Sequence, residues 1–362
     1  MSLMENKLQD WIADHLEQRS LEQRSDVVRP HSLELQPLSG DAGFRQYFRV
    51  NTQPPLLAVS APKTEGISEC ARYFTTLANA LRETGVPTPQ VLACDEENNF
   101  LLIEDFGDHS YLDCLNDESA DVLYSQALMV LLRLQQIPLS SIDLPHCDQA
   151  MLRQEMALFD QWFVEQMLGY RLSSAEHQLL DRTYAFLEQK ALEQPQVLVH
   201  RDYHSRNLIY REAEAPGVID FQDAVWGPIT YDVVSLLRDC YISWSPEQVK
   251  RWLMTYGNLA VESGVMSAVS EDRWQLWFDT MGLQRHIKVL GIFSRLSLRD
   301  SKDQYLSDLP LVWQYTMDVA QLYPETKPFF DWCQDTLLPL IKKQEWFNTT
   351  SEFEKPLKDD CA

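Results

Sequence analysis

Residues Val197 to Pro228 read VLVHRDYHSRNLIYREAEAPGVIDFQDAVWGP, and their arrangement decides the fold. Two short apolar runs, Asn207 to Tyr210 and Gly217 to Asp220, flank the polar segment Arg211 to Pro216, the pattern of a hairpin. In that hairpin Asn207 is expected directly opposite Asp220, with both side chains on one face and their Cβ atoms about 5 Å apart. An amide carbonyl and a carboxylate so placed are hard oxygen ligands suited to one or two Mg²⁺ ions. Asp202 lies on the loop leading into the hairpin, where a carboxylate can accept the proton of an attacking hydroxyl or orient it.

The triplet His200-Arg201-Asp202, with Asn207 five residues after the aspartate and Asp220-Phe221 after the second strand, has the spacing of H-R-D-x-x-x-x-N followed by D-F in kinase catalytic loops. The alternative is a set of turn and capping residues at accidental intervals. Four specified residue types at fixed separations beside apolar strands weigh against it. His204 adds an H-x-x-x-H pair with His200, but in a loop and without the accompanying Glu it lacks the helical arrangement that suits zinc. His200 itself reads as a packing residue of the loop rather than a proton shuttle.

On the N-terminal side the chain is β-rich. Leu8, Trp11, Ile12 and Leu16 fall at helical spacing between Met4 and Ser25. Strands are predicted at Ser32 to Leu38, Gln46 to Val50 and Leu56 to Ser60, the first two separated by the turn Ser39-Gly40-Asp41-Ala42-Gly43. A helix from Ser68 to Glu83 is ended by Gly85 and the Pro87/Pro89 pair. Two more strands follow at Gln90 to Cys94 and Phe100 to Glu104, and Asp105-Phe106-Gly107-Asp108 reads as a hinge.

Beyond the hinge the periodicity is mainly helical. Helices are predicted at Ser119 to Gln136, Gln149 to Leu168, Ser174 to Leu192, Asp232 to Tyr241, Pro246 to Gly257, Glu271 to Leu296, Leu309 to Tyr323 and Pro328 to Gln344. The stripe Trp274, Trp277, Phe278 and Met281 reads as core packing. A length of 362 residues exceeds what one core usually supports. The prediction is therefore an α+β chain of two lobes: a small β-rich lobe over residues 1–105 and a larger, mainly helical lobe over 106–362.

Composition narrows the function. The chain carries 31 Lys and Arg against 54 Asp and Glu, a net charge of −23, which repels phosphate backbones and anionic bilayers. Nucleic acid and membrane are thus not expected partners. Seven scattered cysteines form no C-x-x-C pair, which argues against a disulfide framework or a zinc site. Neither a membrane span nor a signal-peptide layout is legible, so a cytoplasmic location is expected.

The strings HRDYHSRNL, IDFQDAVWGPITYDVVSLLRDCYISW and LQRHIKVLGIFSRL resemble the aminoglycoside-phosphotransferase and choline-kinase branch of the protein-kinase-like fold, and within it the bacterial anomeric kinases of N-acetylmuramate and N-acetylglucosamine. The resemblance runs from LSGDAGFRQYFRV to the C-terminal helices. It implies a bilobal kinase with ATP and Mg²⁺ as cofactors, an amino-sugar acceptor and a role in peptidoglycan recycling. By position it makes Asp202 the catalytic base, and Asn207 and Asp220 the metal ligands. Gly40, Asp41, Ala42 and Gly43 become the loop covering the nucleotide, and the backbone at Glu104 to Phe106 the adenine contact. Asp223, Arg238, Asp239, Arg285 and His286 are the expected acceptor-side residues. Alternatively, Arg238 and Asp239 form a surface pair and Arg285 and His286 a helix cap.

The chain departs from the kinase pattern in one place. The strand LLAVSAP has no Lys where V-A-I-K would put one; Lys63 follows Pro62, and its helix partner would be Glu69. Two other readings therefore stay open: a kinase of cationic alcohols such as aminoglycosides or choline, which the acidic charge favours, and an inactive nucleotide-binding module.

Overall fold

The computed structural model of the chain describes residues 3–21, 28, 30, 32–38, 45–61, 70–139 and 141–348. Gly40, Asp41, Ala42, Gly43, Lys63 and Glu69 lie outside the described residues. The chain divides into two units: Met1–His109 with Leu208–Gln222, and Ser110–Asn207 with Asp223–Ala362. The lobes expected from the sequence are residues 1–105 and 106–362.

The first unit begins with α1 (Leu3–Leu21), β1 (Leu35–Leu38), β2 (Gln46–Val50), β3 (Leu56–Ser60), α2 (Cys70–Glu83), β4 (Val91–Asp95) and β5 (Phe100–Glu104). These five strands form one antiparallel sheet in the order β1-β2-β3-β5-β4. Leu8, Ile12 and Leu16 share one face of α1 and pack with Phe48, Val50, Leu56, Ala58, Phe100 and Leu102. These strand positions alternate because successive side chains point to opposite sides of a sheet. Phe100 to Ile103 are all buried, the mark of a strand covered on both faces. Each large aliphatic side chain so buried contributes about 1.5–3 kcal/mol.

The second unit contains α3 (Tyr111–Cys114), α4 (Ala120–Gln135), α5 (Gln149–Leu158), α6 (Ser174–Leu192) and β6 (Gln196–Val199). The chain returns to the first unit for the hairpin β7 (Leu208–Ile209) and β8 (Gly217–Val218). In the second unit again come β9 (Val225–Pro228), α7 (Thr230–Leu237), α8 (Pro246–Glu262), α9 (Glu271–Asp300), α10 (Leu309–Ala320), α11 (Lys327–Trp332), α12 (Leu338–Ile341) and α13 (Glu345–Asn348). β6 pairs antiparallel with β9. The axis of this unit is α9, which is buried almost without interruption from Phe278 to Leu290. Gly291 marks its tightest crossing: a Cβ there would stand 2.3 Å from the carbonyl carbon of Leu158. Trp274, Trp277, Phe278 and Met281 are buried as expected.

Three helical predictions need correction. The segment predicted as one helix from Gln149 to Leu168 is α-helical to Leu158 and then π-helical over Phe159–Met167. The segment Pro328 to Gln344 is broken, with a π-helical turn at Cys333–Leu337 before Pro339 opens α12, because proline cannot donate to the preceding turn. The helix predicted from Asp232 to Tyr241 starts at Thr230 and stops at Leu237, where Arg238 leaves helical geometry at φ −122° and ψ 53°.

Candidate active site

The hairpin β7–β8 is fixed within the first unit by two backbone bonds, Tyr210 N–H to the carbonyl of His109 and Val218 N–H to that of Pro87, each 2.7 Å. Phe221 packs against Phe74 of α2 with the rings tilted by 35° and their centroids 4.7 Å apart. Gly217 is required by Phe106, whose ring would lie 2.4 Å from a Cβ at that position. The ladder pairs Leu208 with Val218 and Ile209 with Gly217, so the expected register of Asn207 opposite Asp220 is corrected by one residue. Both residues lie outside the ladder. Asn207 ends the 3-10 turn Ser205–Asn207, and Asp220 takes a left-handed conformation at φ 62°. Such a conformation in a non-glycine residue is costly and tends to occur at functional sites.

Asp220 is exposed, and Gln222 Nε2 donates to its Oδ1 at 2.5 Å. Elsewhere in this unit, Arg49 of β2 binds the segment after β5, donating to Asp105 at 2.5 Å and to both oxygens of Asp108 at 2.7 Å. The N–H of Glu104 donates to the carbonyl of Gln90 at 2.9 Å. Phe106, half-buried, sits two residues beyond, with the Arg211 guanidinium 4.9 Å from its ring centroid.

In the second unit the loop His200 to His204 leaves β6 and is held at both ends by aspartates. Asp232, wholly buried in α7, accepts the N–H groups of His200 at 2.6 Å and Arg201 at 3.0 Å. Asp239 accepts both the N–H of Ser205 at 2.9 Å and its hydroxyl at 2.5 Å. Burial pushes the Asp232 carboxyl up to about 6, against the pull of His200 and the two backbone donors. Between the clamps Arg201 is held at φ 75°. Its guanidinium donates to Glu155 of α5 at 2.5 Å. Glu155 also receives Lys288 Nζ at 3.2 Å and Gln284 Nε2 at 3.0 Å from α9. Lys288 donates to the hydroxyl of Tyr231 at 2.7 Å.

Asp202 rises from this base with a side chain 43% exposed, and Arg285 Nη1 stands 3.9 Å from its carboxylate. Arg285 also donates to the carbonyl of Arg201 at 3.0 Å. Burial works to raise the Asp202 carboxyl, but the charges of Lys288 and Arg285 outweigh it and hold it at about 2. The carboxylate is therefore ionised at neutral pH. Asn207 Nδ2 donates to the Asp202 carbonyl at 3.0 Å, which fixes the amide plane and leaves its oxygen out of that bond. An amide oxygen and a carboxylate oxygen are each hard donors of the kind that Mg²⁺ takes.

The remaining sequence candidates are placed as follows. Asp223 is exposed. Arg238 pairs with Asp279 at 2.6 Å. Arg285 and His286 are buried in the middle of α9, not at a cap. His286 Nε2 lies 3.2 Å from the carbonyl of Arg238, and burial lowers its pKa to about 3, so it is neutral. Glu155, Tyr231, Asp232, Gln284 and Lys288 were not singled out by the sequence. Their only signal is a charged or polar residue inside an apolar helical stretch, as in ITYDVVSLL.

This geometry can be set beside known proteins. Two curated N-acetylmuramate/N-acetylglucosamine kinases are similar to the chain. That of Pseudomonas aeruginosa is 41% identical over 293 residues, covering 81% of this chain and 85% of the relative. That of Pseudomonas putida is 38% identical over 311 residues, covering 84% and 90%. Among solved structures, an ADP-bound aminoglycoside phosphotransferase shares the fold at a TM-score of 0.55 and 18% identity, covering 85% of this chain and 98% of that one. A Plasmodium vivax ethanolamine kinase does so at 0.56 and 14%, covering 79% and 82%. The fold is thus the bilobal protein-kinase-like one, with a small antiparallel sheet in one lobe and a mostly helical second lobe. Residues 34–268, which span the sheet, the clamped loop and the helices from α2 to α8, match the model described as the phosphotransferase enzyme family, and the chain belongs to that family.

Proposed function

We propose that this phosphotransferase is an ATP-dependent sugar kinase that phosphorylates the anomeric hydroxyl of N-acetylmuramate and N-acetylglucosamine in peptidoglycan recycling. One observation carries the reading: curated kinases of those two sugars are 36–41% identical to the chain over more than 80% of its length. The clamped loop supports it, since phosphoryl transfer needs a positioned carboxylate more than a strong base. In this reading Asp202 accepts the proton of the acceptor hydroxyl as the new O–P bond forms and the bond from the γ-phosphorus to the β,γ-bridging oxygen breaks, releasing ADP.

In this reading Asn207 and Asp220 would hold Mg²⁺, which would neutralise charge on the phosphates. In this reading Gly40, Asp41, Ala42 and Gly43 would lie over the nucleotide, and the backbone around Glu104 and Phe106 would receive adenine. Asp223, Arg238 and His286 belong to the acceptor side. Asp239 and Arg285 act there through the loop they hold. The reaction belongs to the cytoplasm, where nucleoside triphosphates are available; among the described residues no helix is long and apolar enough to cross a membrane.

The test is ADP release measured across N-acetylmuramate, N-acetylglucosamine, aminoglycosides and choline. Turnover with the two sugars, giving an acid-labile glycosyl-1-phosphate, is the expected result. Turnover confined to aminoglycosides or choline overturns the reading, and an acid-stable phosphate ester places the transfer at another hydroxyl.

A further inference from the structure

The proposed acceptors differ in charge. N-acetylmuramate carries a carboxylate on the lactyl ether at C3, separated from the anomeric carbon by C2 alone, whereas N-acetylglucosamine is neutral. A chain of net charge −23 can receive the acidic sugar only where a local cation is available. Most cations around the catalytic loop are already engaged. Arg201 and Lys288 share Glu155. Arg238 is paired with Asp279. Arg285 is 4% exposed and turned to the Arg201 carbonyl and Asp202.

Arg206 differs from all of these. It lies in the loop between Asp202 and Asn207, is half-buried, and among the described residues has no carboxylate within ion-pair distance. Its guanidinium carbon sits 3.7 Å from the centroid of the Tyr241 ring. A guanidinium on an aromatic face keeps its N–H edge free while losing much of its rotational freedom, which favours bidentate binding of a carboxylate.

The platform is itself fixed. Tyr241 donates its N–H to Asp239 Oδ1 at 3.1 Å, and its ring meets His204 edge-on at 5.3 Å and Phe293 at 6.3 Å. Asp239 thus holds both Ser205, the residue before Arg206, and the ring on which the Arg206 guanidinium rests.

We propose that Arg206, held on Tyr241, is the specificity-determining residue that receives the carboxylate of an acidic amino-sugar acceptor. The proposal rests on the sugar-kinase reading above. An anion at Arg206 could equally be a nucleotide phosphate, and the experiment separates the two sources.

Steady-state kinetics of the full chain would compare wild type, Arg206→Gln and Arg206→Lys with N-acetylmuramate, its methyl ester and N-acetylglucosamine, with thermal melting as a control of folding. In the wild type the ester should show a KM about tenfold above that of the acid, as expected when one charge-assisted contact is lost. In Arg206→Gln the acid should lose that advantage, while KM for N-acetylglucosamine and for ATP stays within about twofold. Arg206→Lys should restore part of it. Equal losses for acidic and neutral sugars, or a rise in KM for ATP alone, overturn the assignment. The wild-type comparison of acid and ester decides the matter even if Arg206→Gln does not fold, because equal KM values there overturn it as well. Wild-type inactivity with both sugars removes the sugar-kinase reading and this proposal with it, whereas active wild type with an unselective variant overturns the proposal alone.

Discussion

Glu155 and Arg201 meet at 2.5 Å at the base of the clamped loop, and the same carboxylate carries Lys288 at 3.2 Å. Two cations therefore depend on one buried anion. Replacing Glu155 by Ala leaves both uncompensated, and removing one partner of a buried ion pair costs about 3–5 kcal/mol. Urea denaturation of Glu155→Ala should show a loss of that order. Glu155→Gln, which keeps the shape, should lose less yet still lower kcat, because Arg201 is no longer pinned at its left-handed φ. Unchanged stability in both variants would mean that the cluster is solvated.

Asp202→Asn keeps the volume of the side chain and removes its basicity. Turnover should fall by about two to four orders of magnitude, the usual range for a positioned general base. Nucleotide affinity measured by calorimetry should stay within a few-fold, since Asp202 is proposed to touch the acceptor alone. Near wild-type turnover would dismiss Asp202 as the proton acceptor.

Asn207→Ala and Asp220→Ala each remove a hard oxygen from the proposed metal site. Binding of ATP in the presence of Mg²⁺ should weaken at least tenfold in each variant, while the much weaker binding in chelator changes little. If both variants bind Mg-ATP as the wild type does, the metal assignment fails.

Much of this arrangement was legible in the sequence. Gln46 to Val50, Leu56 to Ser60 and Phe100 to Glu104 were readable to the residue, because apolar alternation there is bounded by turn residues. The β7–β8 register was not, since a ladder of two pairs gives little pattern to count. Local bonds settle it instead: the Asn207 N–H goes to the carbonyl of His204 and draws the residue into a turn. The ionic base of the loop was hidden for a different reason. Glu155, Arg201 and Lys288 are far apart in sequence, and each is an ordinary surface-type residue until the helices carrying α5 and α9 are packed together. Asp232 was the most accessible of the missed residues, a lone carboxylate in an apolar helix.

The last prediction concerns acid stability and lies far from the loop. Glu176, in the first turn of α6, accepts the N–H of Ser173 at 2.7 Å, its hydroxyl at 2.6 Å, the hydroxyl of Tyr170 at 2.6 Å and the indole N–H of Trp332 at 2.8 Å. Burial alone would raise its pKa, but these donors prevail and hold the carboxyl at about 2. A carboxyl depressed in the folded state adds stability above its unfolded pKa and loses it as pH falls through the folded value. The contribution should therefore be complete at neutral pH and decline from about pH 4.5 towards pH 2. Because the group is near the surface, its size is set by the capping box and not by the full shift, on the order of 1 kcal/mol. Glu176→Gln should be less stable than wild type by about that amount at pH 7, and the gap should narrow as the pH approaches 3. Urea titrations at both pH values measure it, and a gap of constant size would show that the charge of Glu176 does not matter to the joint between α6 and α11.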